Sequence, residues 1–153
     1  MEVGQREIFM KEVKSMMGAI VARRKVRSAF DSLNKRDLEA FLANWADDAT
    51  FIQPGTLPVS GEIKGKEAIR GWFQKFMDRF PKVNFTLTNV CVRIICACGG
   101  TNTVAAEWDI ALTDQKGQEF RNKGVSLINL KRRKAILLRN YIFDAEIEKK
   151  AWA

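Results

Sequence analysis

The spacing of apolar residues changes partway along the chain, and this change limits the possible folds more than any other feature of the sequence. Up to about residue 80 the apolar residues recur every three or four positions, as on one face of an α-helix. From Val83 onward, residues favoured in strands dominate and the pattern alternates. Helices followed by a series of antiparallel strands predict an α+β fold.

Three helices are predicted in the first half. The first carries an apolar stripe formed by Ile8, Phe9, Val13, Met16, Met17 and Ile20. A further apolar face continues this segment to Leu33. Gly18 is expected to divide this segment into two helices. Alternatively, residues 1–20 form an N-terminal helix or a loosely held arm. A short helix over 38–45 and a third helix over 66–80 follow.

Turn signals divide the rest of the chain into strands. A short strand over 50–53 is followed by a surface loop over 54–65, which contains two prolines and three glycines. Four longer strands are predicted over 83–97, 103–112, 120–130 and 135–143. A curved sheet of this kind can wrap around the third helix and leave a mostly apolar pocket at its wide end.

Histidine is absent from all 153 residues, which excludes imidazole chemistry. Neither a Ser-His or Cys-His pair nor a His-ligated zinc can form, so any proton transfer falls to Asp, Glu, Lys, Tyr or Cys. The cysteines at 91, 96 and 98 contain no C-x-x-C pair, and we interpret them as reduced, strand-buried thiols of a cytoplasmic protein. The length fits a single domain over 1–153.

The net charge is +8, from 26 Lys and Arg against 18 Asp and Glu. Basic runs occur at 23–25 and 131–134, but the second lacks the interleaved aromatic residues on which nucleic acid bases would stack. No apolar run approaches the ~20 residues of a membrane-spanning helix. We therefore expect no membrane partner, and we do not favour nucleic acid.

Several motifs follow one another in an order that is characteristic of one superfamily. A helix leads into the turn Asn34-Lys35-Arg36-Asp37, and Ala46-Asp47-Asp48-Ala49 precedes a short strand. Later come Gly65-Lys-Glu-Ala-Ile-Arg and Tyr141-Ile-Phe-Asp. Over roughly residues 20–145 the sequence resembles the SnoaL-like, nuclear transport factor 2-like superfamily.

The resemblance implies a cone-shaped α+β barrel, with three N-terminal helices packed on a curved, mostly antiparallel sheet. It also implies a homodimer that forms through the sheet. The superfamily includes ketosteroid isomerases, limonene-type epoxide hydrolases, polyketide cyclases, dehydratases and non-catalytic binding modules. The fold alone does not choose among these activities.

Ketosteroid isomerases can be compared with the chain residue by residue. Their general-base Asp matches Gln53, their oxyanion-hole Tyr matches Ala29, and their second oxyanion-hole Asp matches Ser126. An amide cannot take a proton from carbon and alanine cannot donate to an enolate, so the comparison argues against that reaction.

The Asp, Arg, Asp triad of limonene-type epoxide hydrolases matches Asp109, Glu107 and Asn140. One carboxylate is retained, the Arg is replaced by Glu, and the other acid is replaced by an amide. The resemblance places Asp109 and Glu107 toward the cavity, where burial would raise a carboxyl pKa. We therefore predict Asp109 as the principal acid–base group and Glu107 as an auxiliary carboxylate. The alternative is that both lie on a solvated face and pair with Lys123 or Arg121.

Six further residues are predicted to bind substrate. They are Gln53, Ser126, Asn140, Phe51, Trp72 and Phe76. The polar members would orient substrate or water, and the aromatic members would select apolar ligands. Hydrogen bonding within the protein and packing in the core are the corresponding structural alternatives.

The sequence thus predicts a small-molecule enzyme that uses acid–base chemistry on a compact hydrophobic substrate without metal or cofactor. Epoxide hydrolase-, isomerase- and cyclase-like reactions all fit. A non-catalytic module that binds a hydrophobic ligand is the alternative, and an interaction scaffold with a filled interior is a third possibility.

Overall fold

A computed structural model, which describes residues 2–93 and 100–153, contains four helices and six strands. In chain order these are α1 (Glu2–Asn34), α2 (Leu38–Leu42), β1 (Trp45–Gln53), β2 (Gly61–Lys64), α3 (Lys66–Arg79), β3 (Lys82–Arg93), β4 (Asn102–Thr113), β5 (Glu119–Lys131), β6 (Lys134–Ile142) and α4 (Ala145–Trp152).

The strands form one sheet in the order β2-β1-β6-β5-β4-β3. Strands β3 to β6 make an antiparallel meander, and β1 joins the far side of β6 in parallel. The helices pack against one face of this sheet, which we call the inner face, because one side of each long strand is apolar. The predicted α+β class and its cone-shaped arrangement are confirmed, and α4 is an addition to the three predicted helices.

Helix α1 is continuous, and Gly18 does not divide it. Its second half packs on β3 through Ala22, Val26, Phe30 and Leu33, all of which are buried. Residues 4–21, which we call the arm, are almost entirely exposed.

Two boundaries in the first half differ from the prediction. The second helix ends at Leu42, and residues 45–48 belong to β1 because Trp45 pairs with Ala135 on β6. The predicted loop over 54–65 contains β2, which pairs with β1. In both places the hydrogen bonds come from another strand, β6 for the start of β1 and β1 for β2. The spacing of apolar residues within a short segment does not indicate such a partner.

Aromatic side chains dominate the core between α2, α3 and β1. The ring centroids of Phe41 and Phe73 are 4.6 Å apart, and those of Phe51 and Phe73 are 5.3 Å apart. Phe51 has no solvent exposure. Tilted and edge-to-face pairs of this kind add to the stabilisation from burial alone.

The prediction of buried cysteines is wrong for Cys91, which lies exposed on β3. Cys96 and Cys98 lie outside the described residues, as does the predicted end of the strand over 83–97. Among the residues that the structure describes, no helix has the length and apolar character needed to cross a membrane.

Candidate functional site

A hollow of about 100 Å³ lies between the inner face of the sheet and the helices. Its wall is mostly apolar and includes the rings of Phe30, Phe41, Trp45, Trp72, Phe73, Phe76, Phe85, Trp108, Phe120 and Trp152. One water molecule needs about 10–15 Å³ of such space. The hollow therefore has room for one compact molecule.

Five side chains in the hollow are joined by hydrogen bonds into a continuous line, which we call the polar row. Trp108 Nε1 donates to Ser126 Oγ at 2.9 Å, and Ser126 Oγ donates to Asn140 Oδ1 at 2.7 Å. Asn140 Nδ2 donates to Gln53 Oε1 at 3.0 Å, and Gln53 Nε2 donates to Glu148 Oε1 at 2.8 Å. Every donor points along the row toward the Glu148 carboxylate.

Strand register brings the middle of the polar row together. Ser126 and Asn140 are direct partners across β5 and β6, so both side chains lie on the inner face. Gln53 is the last residue of β1, which pairs in parallel with β6, and it therefore reaches Asn140. All three residues line the hollow, where the sequence predicted them.

Trp108 reaches the row because its cross-strand partner is a glycine. Gly124 lies opposite it on β5, and a Cβ built there would lie 2.5 Å from two atoms of the indole ring. The missing side chain leaves the space that the ring occupies. This close approach directs the indole N–H at Ser126.

Helix α4 positions the carboxylate at the end of the row. Asp144 caps the helix by accepting from two backbone N–H groups of the first turn, at 3.0 and 2.9 Å. Arg79 of α3 donates to the carbonyl oxygen of Ala151 at 3.2 and 3.1 Å. The indole of Trp152 packs on the aromatic side chains of α3. These contacts hold Glu148 at the wall of the hollow.

Burial raises the pKa of the Glu148 carboxyl above its ordinary value of 4.5. Hydrogen bonds from Gln53 and Trp152 favour the charged form and offset part of this effect. A carboxyl group whose pKa is raised in this way holds a proton more readily than a solvated one, which suits it to accept and release a proton. Glu148 is therefore the acid–base candidate that the geometry supplies.

The predicted inward orientation of Asp109 and Glu107 is wrong. Their side chains lie on the outer face of β4, with Glu107 exposed and the Asp109 side chain 48% exposed. Asp109 lies 3.8 Å from Lys123 Nζ, its cross-strand partner. The reason is that the opposite face of β4 carries larger apolar side chains, among them Trp108 and Ile110, which are buried.

The three predicted aromatic residues divide between wall and core. Trp72 and Phe76 line the hollow, whereas Phe51 packs in the core behind Trp72, with ring centroids 4.8 Å apart. Trp72 also donates its Nε1 hydrogen to the carbonyl of Val59 at 2.7 Å, so its polar edge is occupied. Phe51 supports the wall without contributing to it.

A basic group lines another part of the hollow. Lys25 Nζ donates to Asn44 Oδ1 at 3.2 Å and to the carbonyl oxygen of Arg133 at 3.0 Å. Burial, followed by the charges of Arg133 and Lys134, lowers the pKa of Lys25. Asn44 immediately precedes β1 and Gln53 ends it, so the basic group and the carboxylate lie toward opposite ends of that strand.

Sequence reasoning missed Glu148 because it assigned no structure after residue 143. One signal was present: Ile147 and Ala151 are spaced by four on a helix that Asp144 can cap. Trp152 lies four residues after Glu148, which places both on one side of that helix. The pattern indicates a helix with an apolar side, but it does not indicate what that side covers.

The chain belongs to the SnoaL-like family, because the model of the SnoaL-like domain matches residues 26–136. No protein with a curated description matches the sequence significantly. The matched residues run from the second half of α1 to the start of β6 and exclude α4, which carries Glu148.

Solved structures with the same fold share little sequence with this chain. Bal32a, from a soil-derived mobile gene cassette, has a TM-score of 0.77 at 18% identity, over 88% of this chain and 98% of that protein. A proposed scytalone dehydratase from Novosphingobium aromaticivorans has a TM-score of 0.76 at 10% identity, over 87% and 89%. TerC, co-crystallised with polyporic acid, has a TM-score of 0.72 at 12% identity, over 87% and 99%. At these identities the likeness establishes the fold.

Proposed function

We propose that the hollow binds a compact, mostly apolar small molecule and that Glu148 acts on it as a general acid and base without a cofactor. The observation that carries this proposal is the half-buried carboxylate at the end of a hydrogen-bonded row inside an apolar wall. The SnoaL-like family supports catalytic or ligand-binding roles of this kind.

The substrate chemistry follows from the groups in the row. The primary amides of Gln53 and Asn140 each have two N–H donors, and the described hydrogen bonds use one donor in each. The second donor can stabilise an oxygen that gains negative charge. The Glu148 carboxylate can remove a proton from the adjacent carbon and return it at another position. An enolisable carbonyl compound that isomerises or cyclises fits this arrangement.

The proposal is tested by exchange of substrate hydrogen for solvent deuterium, followed by NMR across a panel of small enolisable ketones. Glu148→Gln keeps the shape and the acceptor for Gln53 but removes the base, so exchange should fall by about a hundredfold or more. Asp109→Asn is the matched control, because it removes a carboxylate from the outer face, and it should leave the rate unchanged. Equal rates for wild type and Glu148→Gln would contradict the role of Glu148.

A non-catalytic binding module is the second candidate, and the closed polar row favours it. Each side chain in the row already has a partner within the protein, so the hollow is stable without chemistry. In that case hydrophobic ligands would raise the melting temperature, as mass action requires. Ketones that raise the melting temperature would then show no exchange of hydrogen for deuterium.

A further inference from the structure

The arm (residues 4–21 of α1) exposes an apolar stripe that nothing in the described part of the chain covers. Phe9, Val13, Met16 and Ile20 are spaced by four, three and four residues, so they share one side of the helix. Phe9 is 64% exposed, Met16 is 65% exposed and Ile20 is 48% exposed. Eighteen helical residues span about 27 Å. A helix this exposed gains little from packing within its own chain.

Basic residues continue the same side of the helix beyond the stripe. Arg23, Arg24 and Arg27 follow Ile20 by three, four and seven residues, and all three are exposed. Between residues 4 and 27 the sequence has seven basic residues and two acidic ones. This side of α1 is therefore apolar from Phe9 to Ile20 and strongly positive from Arg23 to Arg27, at the end nearest the folded core.

A second basic segment is fixed beside this end. The turn between β5 and β6 consists of Lys131, Arg132, Arg133 and Lys134, all exposed, and we call it the basic turn. Lys25 ties it to α1 through the hydrogen bond to the carbonyl of Arg133. Clusters of Lys and Arg beside an amphipathic helix attract anionic lipid headgroups.

The two arginines of the basic turn have backbone conformations that arginine disfavours. Arg132 and Arg133 have φ angles of 49° and 64°, in the left-handed region. Two-residue hairpin turns of this conformation favour Asn-Gly, because residues other than Gly and Asn are strained there. Two positive charges thus lie at positions where the neutral residues Asn and Gly would fit the turn better.

We propose that the arm and the basic turn together dock this protein on an anionic lipid surface. The apolar stripe would enter the boundary between headgroups and acyl chains, while Arg23, Arg24, Arg27 and the basic turn contact the headgroups. The sequence predicted no membrane partner because no helix is long and apolar enough to span a bilayer. A helix that lies in the surface does not need to span it.

Charge disfavours a second copy of the chain as the occupant of the stripe. Parallel pairing of two arms would bring Arg23, Arg24 and Arg27 against their own copies. Antiparallel pairing that matches Phe9 with Ile20 would place Arg6 beside Arg23 of the other arm. Like charges meet in both arrangements, which destabilises such a pair. An anionic surface complements the same charges.

The test is flotation of the full chain with vesicles of phosphatidylcholine, with and without phosphatidylserine. We expect binding at least about tenfold stronger to the vesicles that contain phosphatidylserine, weakening as salt is added. Phe9→Gln with Met16→Gln should reduce this binding by about tenfold or more, because both residues are exposed and make no core contact.

A second variant removes charge without risk to folding. Arg132→Asn with Arg133→Gly introduces the residues that this type of turn prefers, so the protein should be at least as stable as wild type. It should bind the phosphatidylserine vesicles roughly tenfold more weakly. Lys149→Gln with Lys150→Gln is the matched control, since it removes the same charge from exposed residues of α4, and it should change binding less than twofold.

Three results would overturn the proposal. The first is equal binding to both vesicle types, or to neither. The second is an equal loss for the α4 control, which would reveal a non-specific charge effect. The third is a fall in molar mass by light scattering for Phe9→Gln with Met16→Gln while the vesicles remain unbound, which would assign the stripe to a second copy. A dimer through the sheet would keep its mass in this variant.

Discussion

The two faces of β4 carry neighbouring residues with opposite surroundings. Trp108 is 4% exposed on the inner face and donates to Ser126, whereas the Asp109 side chain is 48% exposed and lies near Lys123. The acidic group that faces the hollow is instead Glu148, from a helix distant in sequence. A carboxylate becomes chemically useful through where the fold places it, and one position along a strand is enough to change that.

The comparison also separates two kinds of polar contact. Hydrogen bonds on the inner face are shielded from water, so losing one partner leaves the other without a replacement. On the outer face, water can solvate each charged group of an ion pair, so the pair contributes little to stability. Substitutions on the inner face should therefore change the free energy of unfolding more than substitutions on the outer face.

The largest effect is expected where the inner face is most tightly packed. Gly124→Ala would place a methyl group 2.5 Å from the Trp108 ring and 2.6 Å from the carbonyl oxygen of Tyr141. The free energy of unfolding should fall by at least about 2 kcal/mol, measured by urea denaturation. Gly71→Ala is the control, because nothing lies within 4 Å of that position on α3, and it should stabilise by about 0.5–1 kcal/mol. A neutral Gly124→Ala would show that the inner face can rearrange.

Loss of one hydroxyl from the polar row should have an intermediate effect. Ser126→Ala leaves the indole N–H of Trp108 and the amide oxygen of Asn140 without the partner between them. We expect a loss of about 1–3 kcal/mol in the free energy of unfolding. Thr103→Val removes a hydroxyl from the outer face of β4 and should change stability by less than about 0.5 kcal/mol. Equal losses would mean that the two faces are equally open to water.

The smallest effect is a pH dependence that distinguishes the two carboxylates. Because the pKa of Glu148 is raised in the folded protein, the unfolded chain ionises first as pH rises above about 4.5. The stability of the wild type relative to Glu148→Gln should therefore be highest at acidic pH. It should fall as pH rises through the raised pKa and then become constant.

Urea denaturation of both proteins across this pH range measures the effect. Asp109→Asn is the control on the outer face, and it should stay within about 0.5 kcal/mol of wild type throughout. A difference between wild type and Glu148→Gln that does not vary with pH would show that the carboxyl group is as well solvated in the folded protein as in the unfolded chain.

Much of the architecture could be predicted from the sequence because each long element carries its own period. The stripe of α3 and the alternation of β4, β5 and β6 each locate an element without reference to the others. The same alternation placed Ser126 and Asn140 beside the hollow. Strand β2 could not be predicted, because its four residues are mostly exposed and its strand partner is β1.

The orientation of β4 shows where pattern reasoning stops. Alternation assigns Trp108 and Asp109 to different faces but does not say which face is inside. A distant resemblance suggested the acidic face, whereas the larger apolar area on the other face determined the outcome. When the two indications conflict, the buried apolar area is the stronger one.

The pairing of β1 with β6 has a consequence for synthesis on the ribosome. Gln53 is 87 residues from Asn140 and 95 from Glu148, so a nascent protein makes one wall of its hollow long before the other. Until residues 134–152 emerge, β1 has an unpaired edge and the aromatic interior is uncovered. Such an intermediate is prone to aggregation, so chaperones would be needed most during this interval.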